Sequence, residues 1–506
     1  MKNKTFLGIV GPQVTLYGQT ARPQPPMGLA YILGEVERAG WEPVLFDSLA
    51  EGYDYYFDDK EKGIRVTGLP IDNVIARINQ VKPDVIGVSL GLSTDHNYVG
   101  ALVREIKDSY NCPVVLGGSE ASLMHRELFE GLQVERIPVD FVVTGRDIGS
   151  GEGSISPLLK AIEGKRDYET VPGLSFKKDG KFITTNPTVV TKESLAGLQL
   201  PRRDLFARVG DIDIYSEINQ SHTGPVDYAP YGVLHTSRGC GGNCTFCHTQ
   251  YNGFDKTLIR RSLGNISFEL KELKDNGVQT VSIEDDNFGG FSLEQTEIAV
   301  EVLEEIERLR FKGVYFPNGM TVKSMINGDY AILRQLRGMA DLGIKVRNSL
   351  PIESGDDGTL RDLIRKPHDL DMVQTVLDEL KKGYLYHENI DIDTFFMVGV
   401  VGYDSGEFLR ETEGSIQRTF DLADIVSDLG MRVNIWWMKP NPNGPQYKLW
   451  RQRFPDEPFY KLQFSFTPGI WDSPEEEARL NEQIQKKNSE MEAKGAGSMR
   501  PIYPVK

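Results

Sequence analysis

The chain is poor in cysteine, with four in 506 residues. So few thiols exclude a disulfide-built scaffold. Three of them crowd into Cys240–Cys247 while Cys112 stands apart, a pattern of free thiols that points to a reducing, cytoplasmic compartment. Long apolar runs are also missing. No stretch approaches ~20 apolar residues, so no membrane-spanning helix is expected. The start, Met1-Lys-Asn-Lys-Thr-Phe-Leu-Gly-Ile-Val-Gly11, lacks the long apolar core and small-residue cleavage site of a signal peptide and reads as a first strand. Positive charge is in deficit. The formal net charge of −16 argues against nucleic acid as a partner. No internal repeat or low-complexity tract is found. With 39% hydrophobic and 26% charged residues the rest is an ordinary globular composition, long enough for two or three domains.

Residues 1–165 alternate strand and helix patterns. Strands are expected at Thr5–Val10, Pro43–Asp47, Asp84–Leu90, Pro113–Leu116 and Phe141–Thr144. Helices are expected at Gly28–Ala39, after Pro25-Pro26, and at Ile71–Val81, Asn97–Tyr110 and Ile155–Ile162. The strands are unbroken Val/Ile/Leu runs, as in a parallel sheet covered on both faces. This implies a doubly wound, Rossmann-like α/β domain with its ligand at the carboxyl ends of the strands. Those ends carry Gly11-Pro12-Gln13, Gly91-Leu92-Ser93-Thr94, Gly117-Gly118-Ser119 and Gly149-Ser-Gly151-Glu152-Gly153, where glycine lets a ligand approach the backbone. Any one of these loops is also an ordinary βα turn; four on one edge favour a ligand site.

Residues 166–230 read as a connector containing a hairpin with an Asp179-Gly180 turn. Residues 231–440 alternate again. Six strands (Gly232–Thr236, Thr280–Glu284, Gly313–Phe316, Val346–Ile352, Ile390–Val398, Arg432–Trp437) are separated by helices at Leu263–Asp275, Leu293–Leu309, Tyr330–Asp341, Asp371–Lys382 and Glu407–Leu429. Six β/α units without a seventh suggest a partial (β/α)6 TIM-type barrel, whose active site lies at the carboxyl ends of the strands. Residues 441–506 form a C-terminal extension with a charged helix, Pro474–Lys494, read as solvated surface.

The cysteine loop Ser237-Arg-Gly-Cys240-Gly-Gly-Asn-Cys244-Thr-Phe-Cys247-His248 follows the first barrel strand. Three thiolates spaced C-x3-C-x2-C can hold three corners of a [4Fe–4S] cluster and leave the fourth iron open. Zinc with His248 as fourth ligand is disfavoured. His248 directly follows Cys247, and no second ligand pair is present.

This loop resembles the radical S-adenosylmethionine (radical SAM) signature, C-x3-C-x-aromatic-C, with Phe246 as the aromatic. The resemblance implies a [4Fe–4S] cluster on Cys240, Cys244 and Cys247, with SAM on the open iron. It also implies SAM contacts from Phe246 and from Glu284, Asp285 and Asp286 at the end of the second strand. Glu353 at the end of the fourth strand and Gly399 in Phe396-Met-Val-Gly-Val-Val-Gly402 complete that set. The usual Gly-Gly-Glu is absent, so the acids are not assigned one by one, and helix capping is the plain alternative for them.

The order of α/β domain, connector and barrel resembles the cobalamin-dependent branch of that superfamily, and Pro25-Pro-Met-Gly-Leu-Ala-Tyr31 is similar to its opening motif. The resemblance implies cobalamin cradled by Pro12, Gln13, Tyr17, Gly91, Ser93, Thr94, Gly117, Gly118, Gly151 and Glu152. No histidine stands after the first strand to ligate cobalt. His96 has the wrong spacing and reads as a loop residue, and the Pro12–Tyr17 loop is the candidate for the lower face of the corrin. The implied activity is methyl transfer from methylcobalamin to an unactivated carbon, with a flavodoxin or ferredoxin as electron donor.

A peptide or protein side chain, such as glutamine, is favoured as acceptor over a small molecule. The C-terminal extension and Asn434-Ile-Trp-Trp-Met-Lys-Pro440 suggest an open groove. A tetrapyrrole cyclase or rearrangement enzyme, and a non-catalytic redox or cobalamin sensor, are the alternatives. Cys112 alone supplies no second cluster, which disfavours a methylthiotransferase.

Overall fold

The structure is a computed structural model. It describes residues 4–19, 21–131, 135–144, 151–187, 190–209, 212–216, 230–247, 257–404, 407–438, 441, 444–456 and 474–493. His248, Gly149, Ser150, Lys439 and Pro440 lie outside the described residues. Chain contacts divide the molecule into two compact units, the first chiefly Met1–His222, the second chiefly Thr223–Tyr251 with Asp255–Phe454.

The first unit is built on a seven-stranded sheet. Its parallel part runs Glu42–Asp47, Thr5–Val10, Val85–Ser89, Val114–Gly117, Phe141–Val143 in space. Thr5–Val10 lies between Glu42–Asp47 and Val85–Ser89, the next two strands of this sheet along the chain, one on either side. The winding therefore reverses beside it, which is the switch point where open α/β sheets bind ligands. Helices Met27–Arg38, Ile71–Val81, His96–Ser109 and Glu152–Ile162 form where the periodicity indicates them. The hairpin Leu174–Lys178 and Lys181–Thr184 turns at Asp179 and Gly180, both at positive φ, and adds to the sheet antiparallel to Phe141–Val143.

One expectation fails here. Pro12–Tyr17 is not an open loop. Gln13–Leu16 is a strand, paired antiparallel with Ile64–Thr67, which in turn pairs with Tyr56–Asp59. A four-residue strand is too short to show a period, and only its distant partner defines it.

The second unit is a six-stranded parallel sheet in strictly sequential order: Tyr231–Leu234, Thr280–Ile283, Gly313–Phe316, Lys345–Glu353, Ile390–Val398, Arg432–Trp437. This is the expected partial barrel. Helices cover one face, burying Val281, Ile283, Val314, Phe316, Val346, Ile352, Phe396 and Val433 against Leu270, Val302, Leu336 and Val376. Ser262, Ser292, Thr321, Asp369 and Thr412 each cap a helix by accepting a backbone N–H; Thr321 starts the third helix at Val322, before the expected Tyr330, and the chain leaves helical geometry at Asn327–Tyr330.

Thr412 also explains a corrected boundary. The fifth helix is Glu413–Asp428, because Thr412 and Ser415 form a reciprocal cap; Glu407–Arg410 is instead a strand paired with Val401–Asp404. The tail helix Pro474–Ala493 is not merely solvated surface. Leu480, Ile484 and Met491 enter the barrel core. The Asn481 side chain accepts from the Trp437 indole at 3.1 Å, and Asn488 bonds the Ile435 backbone N–H and carbonyl. Its sparse apolar residues were masked by the charged ones between them. No described helix is long and apolar enough to cross a membrane.

Candidate functional site

The cysteine loop leaves the barrel at Ser237–Arg238, a short strand paired with Ile259–Arg260. It is tied down at both ends. At the entry, Asp285 accepts from the Thr236 N–H (2.6 Å), the Thr236 hydroxyl, the Ser237 N–H (3.2 Å) and the Ser237 hydroxyl (2.7 Å), with Arg260 at 3.7 Å. In mid-loop, the Asn287 amide donates to the Cys240 carbonyl at 3.2 Å. At the exit, Thr245 donates its N–H to the Ile364 carbonyl (2.9 Å) and its hydroxyl to the Leu363 carbonyl (2.6 Å). Those carbonyls end a short π-helix, Thr359–Ile364, a rare element that is frequent at functional sites.

Cys240, Cys244 and Cys247 are thus presented, half-buried, at the carboxyl end of the first barrel strand. Gly241 sits at φ 77°, a conformation that only glycine adopts without strain. A side chain at Gly242 would lie 3.3 Å from the Cys240 sulfur and 3.9 Å from that of Cys244, so both thiols border a space kept clear by a glycine. Among the described residues no three His, Cys, Asp or Glu side chains converge on a single metal ion. A cubane does not require convergence, because each thiolate binds a different iron, so this donor set suits a cluster. Burial pushes the Cys240 thiol up to about 11 and also raises Cys244. These two thiols therefore stay protonated near neutral pH, and a bound cation is what would favour their thiolates.

Lys366 complements them. It is buried, 2.9 Å from Glu353 and 5.5 Å from the Phe246 ring centre. Burial alone would lower its pKa, but the adjacent Glu353 carboxylate outweighs that and raises it. Glu353 ends the fourth strand at φ 74°, next to a shift in strand register. A non-glycine residue held there is strained backbone, which clusters at functional sites. Phe246 packs on Leu360, Leu363, Met397 and Val400.

The three acids after the second strand part company. Asp285 is consumed in holding the loop. Asp286 is exposed, beside Cys240. Glu284 is half-buried and bonded only weakly by Ser282 at 3.4 Å; burial pushes it up to about 7. Gly399 ends the fifth strand, with the Trp437 ring where its side chain would be. The Val400 N–H donates to Glu411 at 3.1 Å, and burial pushes that carboxyl up to about 8. Asn287, Thr245, Lys366 and Glu411 were not singled out as site residues from sequence. Their signal is positional, arising only when strand ends meet.

In the first unit, Gly91 and Gly117 stand at adjacent strand ends with open space where a side chain would be. Gly118, at φ 109°, touches the Leu90 carbonyl so closely that any side chain would collide. Ser119 donates to the Gly91 carbonyl at 2.8 Å, knitting these loops together. Gly91 and Gly117 thus leave open space at two adjacent strand ends, which fits a flat, wide cofactor. Ser93 is buried and hydrogen-bonds Glu120; Thr94 lies beside Asp95 at 3.3 Å.

Other expected contacts are placed differently. Gly151 packs on Val143 and Ile32, and Glu152 is buried. Pro12 is buried against Gly68, Gln13 is in the short strand, and Tyr17 is exposed. His96 is not a loop residue: it opens the helix His96–Ser109, buried, with Nε2 2.9 Å from the Glu135 carbonyl. Asp95 and Glu120, both pushed up to about 7 by burial, were not anticipated.

Residues 15–147 match the family model of the B12 binding domain, and residues 234–413 that of the radical SAM superfamily. Cytidylyl-2-hydroxyethylphosphonate methyltransferase of Streptomyces wedmorensis is 24% identical over 499 residues, covering 92% of this chain and 87% of that protein. Among solved structures, the radical SAM methyltransferase TsrM from Kitasatospora setae, bound to tryptophan substrate and a SAM analog, aligns with TM-score 0.61 and 16% identity over 85% of this chain and 73% of its own. The cobalamin-dependent SAM radical enzyme OxsB, with aqua-cobalamin and SAM bound, aligns with TM-score 0.61 and 14% identity over 96% of this chain and 62% of its own.

Proposed function

We propose that this chain, which belongs to the cobalamin-dependent radical SAM enzymes, is a methyltransferase that places a methyl group on an unactivated carbon of its substrate. The observation that carries the reading is the thiol loop, pinned at the carboxyl end of the first barrel strand in a chain whose other unit has open space at the glycines of two adjacent strand ends. Cys240, Cys244 and Cys247 would hold the cluster. Glu284, Asp286, Glu353, Gly399 and Phe246 would contact SAM, and Asp285 serves by holding the loop. Gly91, Ser93, Thr94, Gly117 and Gly118 would line the cobalamin site. When bound, the cluster with SAM supplies a hydrogen-abstracting radical and cobalamin supplies the methyl group.

The chain's own residues then have definite tasks. Lys366 offsets thiolate charge behind Cys244 and Cys247. Glu284, near neutrality at physiological pH, accepts from or donates to a polar group at the mouth of the barrel. A reducing cytoplasm and an electron donor of flavodoxin or ferredoxin type would supply the electron that such a cluster needs.

The acceptor is better read as a small molecule than as a peptide or protein side chain such as glutamine. The peptide reading relied on a free Asn- and Trp-rich sixth strand, yet the Trp437 indole and the Ile435 backbone are bonded by the tail helix. The relative matched over 92% of this chain is named for a small phosphonate.

The test uses anaerobically reconstituted, reduced protein with cobalamin and SAM carrying a deuterated methyl group. The reading expects 5′-deoxyadenosine and label on a product carbon. Ring closure without label would establish the cyclase alternative, and label on a heteroatom would overturn carbon methylation.

A further inference from the structure

The inner face of the barrel sheet is unlike that of a packed barrel, which is filled with bulky aliphatic residues. Side chains alternate along each strand, so those opposite the buried outer face point inward. They include Glu284, Tyr315, Arg347, Asp393, Arg432 and Trp436, most of them only half-buried. This inner face is polar and partly open to solvent.

Three of these residues form one charged unit. Asp393 accepts from Arg347 Nε (2.7 Å) and Nη2 (3.3 Å), and from Arg432 Nε (2.6 Å). One carboxylate is therefore shared by two guanidinium groups. Arg432 Nη2 is buried with no hydrogen-bond partner, its nearest other carboxylate being the exposed Asp391 at 3.8 Å. Arg347 lies over the Tyr315 ring at 5.6 Å, which fixes its plane. Tyr315 stands opposite Arg347, and Asp393 opposite Arg432, in the strand pairing, so the four lie on the same inner face of the sheet. Two planar guanidiniums with N–H groups to spare match the geometry of an oxyanion.

We infer that Arg347 and Arg432 form an oxyanion subsite, and that the acceptor substrate carries a phosphate, phosphonate or carboxylate group that docks there. This rests on the reading of the barrel as the methylation chamber. Arg347 lies six residues before Glu353, and Arg432 pairs with Asp393, which stands opposite Ser349, four residues before Glu353. At about 3.3 Å per residue the subsite is roughly 13–20 Å below the strand ends. The acceptor carbon and the anionic group therefore belong to opposite ends of an elongated molecule.

Calorimetric titration of the cluster-, cobalamin- and SAM-loaded protein with methylphosphonate and, separately, acetate tests this. At least one probe should bind once per chain, and the preferred one identifies the oxyanion. R347Q and R432Q should each weaken it about tenfold or more, since a hydrogen bond to a charged group is lost. D393N should tighten it, because both guanidiniums are released. R334Q, at an exposed helix position, should change nothing. No saturable binding, or equal affinity in wild type, R347Q and R432Q, overturns the subsite. So does a D393N protein that loses stability with unchanged affinity, since the triad is then only a brace. Deoxyadenosine formation in the same samples reports on the radical reading separately, so the two can fail independently.

Discussion

Asp285→Asn is the most revealing single change. The carboxylate accepts four hydrogen bonds from Thr236 and Ser237 and lies 3.7 Å from Arg260, whose side chain is also buried. An amide of the same shape retains one oxygen. Its NH2 group then faces two donors that had an acceptor, and Arg260 loses its counter-charge. Each buried donor left unpaired costs about 1–3 kcal/mol. With two such donors and an uncompensated arginine, the loss is on the order of 4 kcal/mol. For a unit of this size that lowers the melting temperature by roughly 8–16 °C. The same bonds aim the cysteine loop, so cluster loading should fall with stability. Thermal unfolding of the apo-protein and iron per chain after reconstitution measure the two effects. A variant with wild-type melting and iron content would refute the claim that Asp285 anchors the loop. Normal melting with lost iron would instead reveal direct involvement in the site.

Other consequences are simpler to state. Cys240→Ala, Cys244→Ala or Cys247→Ala should abolish cluster absorbance, and Cys112→Ala should leave iron content unchanged; full iron in the triple variant would refute the assignment. Gly117→Ala and Gly118→Ala should separate binding from folding. The first has open space and should weaken cobalamin binding, measured by retention on gel filtration, without altering melting. The second must adopt φ near 109° against the Leu90 carbonyl, so the apo-protein itself should be destabilised. Glu120 makes stability depend on pH: burial pushes its carboxyl from an ordinary 4.5 up to about 7. The folded state thus holds a proton that the unfolded state releases. Its contribution is full below pH 4.5 and fades as pH rises to about 7, by on the order of 3 kcal/mol. Glu120→Gln should flatten that slope in urea unfolding between pH 5 and 8; an unchanged slope would refute it.

Much of this protein is readable along the chain. The thiol spacing is local, and its chemistry follows from three ligands within one loop. Aliphatic runs of five or six residues separated by capped amphipathic helices specify parallel β/α units, because helix capping and strand burial act over a few residues. Hence both sheets and most helix starts are where the periodicity indicates.

What only the tertiary structure decided depends on groups far apart in sequence. The strand Gln13–Leu16 exists through its pairing with Ile64–Thr67. The tail helix is structural because Asn481 and Asn488 meet the sixth strand. Asp285, one of three adjacent acids, became the loop anchor because Thr236 and Ser237, each with two donors, stand 49 and 48 residues earlier in the chain. Arg347, Asp393 and Arg432 look like unrelated surface charges until the barrel closes them into one inner layer. A cofactor's ligands can be written in one loop, whereas a substrate is recognised by side chains from several strands. The cysteine spacing therefore announced the chemistry, whereas the charged inner layer of the barrel exists only once the strands are side by side.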